Sequence, residues 1–446
     1  MSGADPLAGR RCRRLLRLAR RFAGAALIFV VPTAPAWPGG FQVRPGSPDW
    51  SANAFAGMAA KAYDASTAWS NPAGMTRLDR SEIDVGLNAV TPSIRFRGTD
   101  LVNGVPVSGT TGGDAGQTAF VPSGEAVWAV APGIRLGVSV GNPFGLRSVW
   151  PGTFVGRYQA LVSSITDTEI GFAVAYQLTP TLSIGGGPVI DHLEVRLTNA
   201  LNIGPLASVT GDPVYDVHGS NWAVGYHLGV LWQPSDTLRL GIDYRSRISE
   251  DLHGSQHVAV PAALATISPA AAGGLAALDQ AGGSHITLPD VLTASAVWGV
   301  ARGVSALATL QWTHWSLIQT ITVVGDKGSD IPLVERFRDS WMGSLGVNVR
   351  PSFAPRLLLQ AGAGYERGPV TDAARTPQLP DLDTVLAGVG LSFDATRRLR
   401  LQAAYLHEFG IGGRANSYSA TASAGVLTGS YSLNVDVVSL GLAWQF

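Results

Sequence analysis

After residue 80 the chain alternates apolar and polar positions with a period of two. Ile83, Val85, Leu87 and Ala89 are interleaved with Asp84, Gly86 and Asn88. Ile134, Leu136, Val138 and Val140 are interleaved with Arg135, Gly137 and Ser139, and the rhythm returns at 170–178, 222–232, 238–244, 357–363, 385–393 and 438–446. A period of two puts the apolar side chains of each segment on one face of a strand. The other face is Gly, Ala, Ser or Gln. Several runs exceed the roughly five or six residues of an ordinary soluble strand, and aromatics (Trp222, Trp232, Tyr244) stand near their ends. Strands of about nine to eleven residues with aromatic ends suit a hydrocarbon layer. The expected fold class is therefore all-β, with lipid covering the apolar faces.

Turn chemistry supplies the strand count. Short turns are predicted at 131–133, 179–181, 234–236, 301–303, 351–352 and 394–396, each between two alternating segments. Longer, polar, Gly-rich stretches at 98–118, 142–158, 198–219, 249–284, 317–338, 366–383 and 408–430 are expected to be outer loops. Six short turns with a strand at either end make a fourteen-stranded antiparallel transmembrane β-barrel over 81–446, an even number with both ends on one side. In the last segment Val438, Leu440, Leu442, Trp444 and Phe446 share a face. That terminal aromatic resembles the assembly signal of bacterial outer-membrane proteins, which implies the outer-membrane barrel assembly machinery as a partner. Residues 37–80 are small and irregular. A bore this wide is not filled by wall side chains alone, so they are expected to form an N-terminal hatch that buries Phe55, Met58, Tyr63, Trp69 and Met75. Within it Asn71-Pro72 suits the start of a helical turn, Asn capping and Pro at the first position.

Composition adds the compartment. Basic and acidic residues number 32 each, but seven arginines and one acid (Asp5) fall within 1–36, leaving 25 basic and 31 acidic residues beyond. The seven arginines, the apolar run Phe22–Val31 and Ala34-Pro35-Ala36 have the order of a signal peptide, expected over 1–36. The balanced charge gives no sign of nucleic-acid binding. Cys12 is the single cysteine, which removes disulfide and cysteine-based metal chemistry from the body. The eight histidines show no catalytic or metal spacing. No catalytic residue, metal or cofactor is expected, and the chain is not read as an enzyme.

Gly40-Phe41-Gln42, Ala54-Phe55-Ala56-Gly57, Ala62-Tyr63-Asp64-Ala65-Ser66 and Asn71-Pro72-Ala73-Gly74-Met75, followed by Tyr244-Arg245-Ser246, Leu288-Pro289-Asp290, Phe337-Arg338-Asp339 and Pro380-Asp381, resemble the FadL-type long-chain fatty-acid transporters in order along the chain. The resemblance implies a plugged barrel in the outer membrane of a Gram-negative bacterium, monomeric, passing hydrophobic molecules passively into outer-membrane lipid. Long-chain fatty acids are the first expectation for cargo and aromatic or aliphatic hydrocarbons the alternative. A general porin and an outer-membrane lipid-modifying enzyme are the readings from other classes.

The third strand is the informative one. Its alternation stops at Val140, short of a full span, and meets Gly141-Asn142-Pro143-Phe144-Gly145. Proline cannot donate to a ladder, and flanking glycines favour a kink. The resemblance implies a side opening there, held near Asn71, Pro72 and Ala73 as a gate, through which cargo leaves sideways. It also implies Phe41 and Arg196 as substrate-binding residues, with Arg336 or Arg338 as the second basic group, although Arg338 beside Asp339 reads as an ion pair. The apolar, Pro-bearing stretch 258–280 is expected to form short helices at the mouth.

Overall fold

A computed structural model describes residues 40, 42–44, 46–328, 330–416 and 424–446; the expected signal peptide and Phe41 lie outside them. Fourteen antiparallel strands close into a barrel. They are β1 (Glu82–Val102), β2 (Ala119–Ala131), β3 (Ile134–Gly141 and Gly145–Val149), β4 (Val162–Gln177), β5 (Leu182–Ala200), β6 (Val214–Trp232) and β7 (Leu238–Arg245 and Ile248–Ala259). The others are β8 (Gln280–Leu288 and Val291–Ala301), β9 (Val304–Thr313 and Thr320–Gly325), β10 (Ile331–Val334 and Ser340–Val349), β11 (Leu357–Arg367), β12 (Asp383–Asp394), β13 (Leu399–Ile411) and β14 (Val426–Gln445). β14 closes on β1 in register from Glu82↔Gln445 to Leu101↔Val426. Each predicted short turn joins two of these strands, and both ends of the wall lie on the short-turn side, called the lower side below.

The lower part of the wall turns its apolar row outward. Leu310, Leu345, Val389 and Leu440 are more than half exposed, a belt that only hydrocarbon can cover. Trp312 and Trp341 are cross-strand partners at the top of the belt. Trp232, Trp298, Phe393 and Trp444 are exposed near its bottom.

Above the belt the pattern reverses. In β7, Ile242 faces out below Ser246-Arg247; above it Ile248 and Leu252 are buried inward while Ser249, Asp251 and His253 face out. In β9, Leu310 faces out below the break at His314–Gln319 and Val323 faces in above it. β8 reverses at Pro289-Asp290, from Leu292 outward to Leu288 and Ile286 inward. At the β7 break the Ser246 hydroxyl accepts from the Tyr226 N–H, replacing a lost ladder bond. The reversal is physical: above the hydrocarbon the outside meets water, so the apolar row belongs inside.

This corrects one expectation. Much of the 249–284, 317–338 and 408–430 stretches is strand that extends the wall, not loop. The expected short helices are present at Ala262–Ile267 (α1) and Pro269–Ala276 (α2).

Residues 46–78 run inside the wall. The segment contains helices Pro48–Ala52 and Thr67–Ser70 and a 3-10 turn, Pro72–Arg77, whose Asn71 side chain accepts from the Ala73 N–H. It meets the inward face all round the barrel. Asn88 of β1 donates to the Gly46 carbonyl, Thr309 of β9 accepts from Gly57 N–H, and Gln402 of β13 donates to Asp64. Inward glycines admit its backbone: a Cβ on Gly362 of β11 would lie 2.0 Å from the Asn53 carbonyl oxygen, and one on Gly241 of β7 1.9 Å from that of Ala59.

Candidate functional site

Pattern reversal creates the first feature. Inward residues of β3 to β10 above the belt line an open cavity of about 870 Å³, chiefly Leu146, Ile165, Val195, Leu252, Ile286 and Phe337. Its floor is aromatic: Trp315 lies edge-on to Phe144 (5.8 Å between centroids) and to Phe337 (5.9 Å). Below lies a second, more polar cavity of about 650 Å³ between the inner segment and the wall. There Arg245 pairs with Glu169 at 2.5 Å and stacks on Trp69 at 4.0 Å.

The second feature is an interruption in the wall. β2 pairs with β1 along Ala119–Val127, but with β3 only from Gly124↔Val140 downward. The upper piece of β3, Gly145–Val149, pairs along its length with β4 and meets the other side only at its top, through the isolated bridge Gly116↔Ser148. Between Phe120–Ser123 and Phe144–Arg147 the ladder is open. The opening is level with Gly86–Ala89, within the first ten or so residues of β1, the length that crosses hydrocarbon. Above it the wall is rejoined where Val149 N–H donates to the Ala115 carbonyl. Behind it is a space of about 250 Å³ bounded by Pro122, Ser123, Gly141 and Asn142 on the wall and Val43, Gly46 and Trp69 inside.

Side chains replace the missing ladder bonds at the kink. Asn142 Nδ2 donates to the Asp167 carbonyl at 2.6 Å, and Phe144 N–H donates to Asp167 Oδ2 at 3.1 Å. From inside, Val43 N–H donates to the Pro143 carbonyl at 2.7 Å. The next residue anchors that strand of the inner segment across the bore. Arg44 Nη1 and Nη2 each lie 2.6 Å from a Glu366 carboxylate oxygen, and Nε donates to Gln311. Burial opposes the Arg44 charge, but Glu366 outweighs it and raises the pKa above the ordinary arginine value. A second buried pair, Lys61 to Asp49 at 2.9 Å, lies within the segment; there burial prevails and lowers the lysine pKa. Among the described residues, no three His, Cys, Asp or Glu side chains come together as metal ligands.

A family model described as outer membrane protein transport protein (OMPP1/FadL/TodX) matches residues 29–446. The chain belongs to this family. It is an outer-membrane β-barrel of the FadL/TodX type, the fold of hydrophobic-compound transporters. A putative outer membrane protein of Neisseria meningitidis is 26% identical over 382 residues, covering 78% of this chain and 81% of its own. The long-chain fatty acid transport protein of Salmonella typhi is 24% identical over 403 residues, covering 86% and 90%. Among solved structures, a Pseudomonas aeruginosa FadL homologue superposes with a TM-score of 0.84 at 22% identity, over 91% of this chain and all of that one. The Pseudomonas putida toluene transporter TodX gives 0.65 at 16% identity, over 91% of this chain and 100% of its own.

On this FadL-type barrel the expected site residues fall in different places. Gly141 to Gly145 form the interruption in β3. Asn71, Pro72 and Ala73 are buried, but their closest wall contacts are with β5 and β6. Asn71 Nδ2 donates to the Val230 and Ala59 carbonyls, and Cβ atoms on Gly185 and Gly229 would collide with this turn. The contacts at the kink come instead from Gln42, Val43 and Trp69. Arg196 does not line the cavity. It sits on the outward row of β5, between inward Val195 and Leu197, and pairs with Asp216 at 2.6 Å. The phase reversal is the reason, since position 196 is outward where the apolar row has turned in. Arg336 is likewise exposed, while Glu335 and Phe337 line the cavity. Arg338 pairs with Asp383 at 2.9 Å, not with Asp339. Sequence reasoning missed Arg44, Asp167, Arg245 and Glu335. The Tyr244-Arg245-Ser246 motif was a signal for one of them; the others depend on pairing across the bore.

Proposed function

We propose that the chain is a passive outer-membrane uptake channel for hydrophobic compounds of long-chain character. Cargo enters the upper cavity, passes beside the hatch expected over 37–80, and leaves sideways into the bilayer between β2 and β3. One observation carries the reading: the wall turns an apolar inner surface toward a cavity at the height where its outer surface is polar. Inward apolar residues in a water-bathed mouth have a use if they solvate apolar cargo. Diffusion down a gradient needs no catalytic group. Relatives named for long-chain fatty acid transport support the chain length, and the aliphatic lining supports it too. The open ladder at membrane depth supports the exit, since backbone there is tolerated only beside a cavity or under protein.

The test fills the exit. In a strain without similar channels, Gly141→Phe with Gly145→Phe is expected to reduce uptake of radiolabelled long-chain compounds to background, with abundance and heat-modifiable gel migration unchanged. Uptake at wild-type rate through the folded double variant would overturn the lateral route. Liposome swelling in sugar solutions would overturn the channel's hydrophobic character and favour a porin.

A further inference from the structure

We propose that Glu335 is a specificity-determining residue of the upper cavity, favouring cargo with an uncharged, hydrogen-bond-donating head, such as a long-chain primary alcohol, over long-chain carboxylates. The proposal rests on the reading that this cavity holds the cargo.

The lining is aliphatic apart from a few polar residues. Ser255, Gln256, Ser284 and Gln378 are uncharged, and among the described residues no lysine or arginine lines the cavity. His218 contributes at the rim, but its ring is turned to Glu194 on the outer face. Glu335 is the acidic residue among the described residues of the lining. Its carboxyl makes no hydrogen bond or ion pair with any described residue, and burial alone raises its pKa to about 7.

Backbone geometry decides which of two adjacent opposite charges faces in. The N–H groups of Glu335 and Arg336 both donate to the Gln319 carbonyl at 3.0 Å, clamping the turn. Arg336 adopts φ +49°, a left-handed conformation that disfavours a side chain. The clamped turn leaves Glu335 on the cavity and Arg336 exposed. A carboxylate cargo would therefore bring a like charge toward a half-desolvated acid, with no cation among the described lining residues to offset it. A hydroxyl would give that acid the donor it lacks.

The experiment uses the full chain in detergent at pH 8.5, with displacement of the neutral probe N-phenyl-1-naphthylamine by 1-dodecanol, dodecanoate and n-dodecane. Dodecanol is expected to bind about tenfold more tightly than dodecanoate, the scale of one like-charge encounter in a partly dry site. Glu335→Gln is expected to narrow that ratio by improving dodecanoate. Glu335→Leu should bring dodecanol down to dodecane. Arg336→Gln, with its charge outside, should leave the ratio unchanged. Dodecanoate binding as tightly as dodecanol to the wild-type chain, or a ratio that Glu335→Gln does not move, would overturn the proposal while the cavity reading stands. Failure of all three compounds to displace the probe would overturn both.

Discussion

Glu366 offers the sharpest test of how the inner segment is held. Its carboxylate takes two 2.6 Å bonds from Arg44, and both side chains are buried. Glu366→Gln leaves the shape and removes the charge. Breaking a buried pair on one side typically costs about 3–5 kcal/mol, because the remaining ion is stranded. Gln311 and Gln42 still serve the guanidinium, and Glu408 also acts on its charge, so the loss falls at the lower end. About 3 kcal/mol corresponds to roughly a hundredfold rise in local opening, at 1.4 kcal/mol per tenfold. The reporter is the Val43 amide, one residue away, bonded to the Pro143 carbonyl. Native-state hydrogen exchange in lipid nanodiscs should show Val43 exchanging about a hundred times faster in the variant. Wall amides such as that of Leu310 should be unchanged. Val43 protection within about threefold of wild type, in a folded variant, would refute the claim that this ion pair seats the segment.

Three further outcomes are expected. Gly362→Val places side-chain atoms where the Asn53 carbonyl sits, 2.0 Å from even a Cβ; residues 46–80 should become accessible to protease while the barrel keeps its heat-modifiable migration. Asp167→Ala removes the acceptor for the Phe144 N–H; exchange at that amide should rise by up to about tenfold, the scale of one hydrogen bond, and an unchanged rate would show that the kink stands without it. The Glu335 pKa is raised from the usual 4.5 to about 7, so the folded state favours the proton and that stabilisation is lost as pH rises through 7. Discrimination between dodecanol and dodecanoate should weaken between pH 8.5 and pH 6, and a ratio constant across that range would count against Glu335 as its source.

Much of the wall could be read from the chain because one rule governs it. Where lipid lies outside, residues such as Val385, Val389 and Phe393 must alternate outward, and Pro132-Gly133 or Pro234-Ser235 must turn. The kink was legible at Pro143 for the same local reason. The upper wall escaped because its alternation has the opposite phase and is cut from the lower half at Ser246, Pro289 and His314. Ser249 to Ser255 reads as polar loop unless both faces are considered separately. Arg196 was misplaced by that same reversal. The ties of the inner segment could not be read at all: nothing local links Arg44 to Glu366, and only the closed ring brings them together.

Gln42 and Arg44 reach β9 and β11 on one side, and Val43 reaches the β3 carbonyl on the other. The hoop thus carries a cross-brace ending at the open seam between β2 and β3. Splaying the staves would stretch that brace, so three residues of the insert tie the edge of the opening to the far wall.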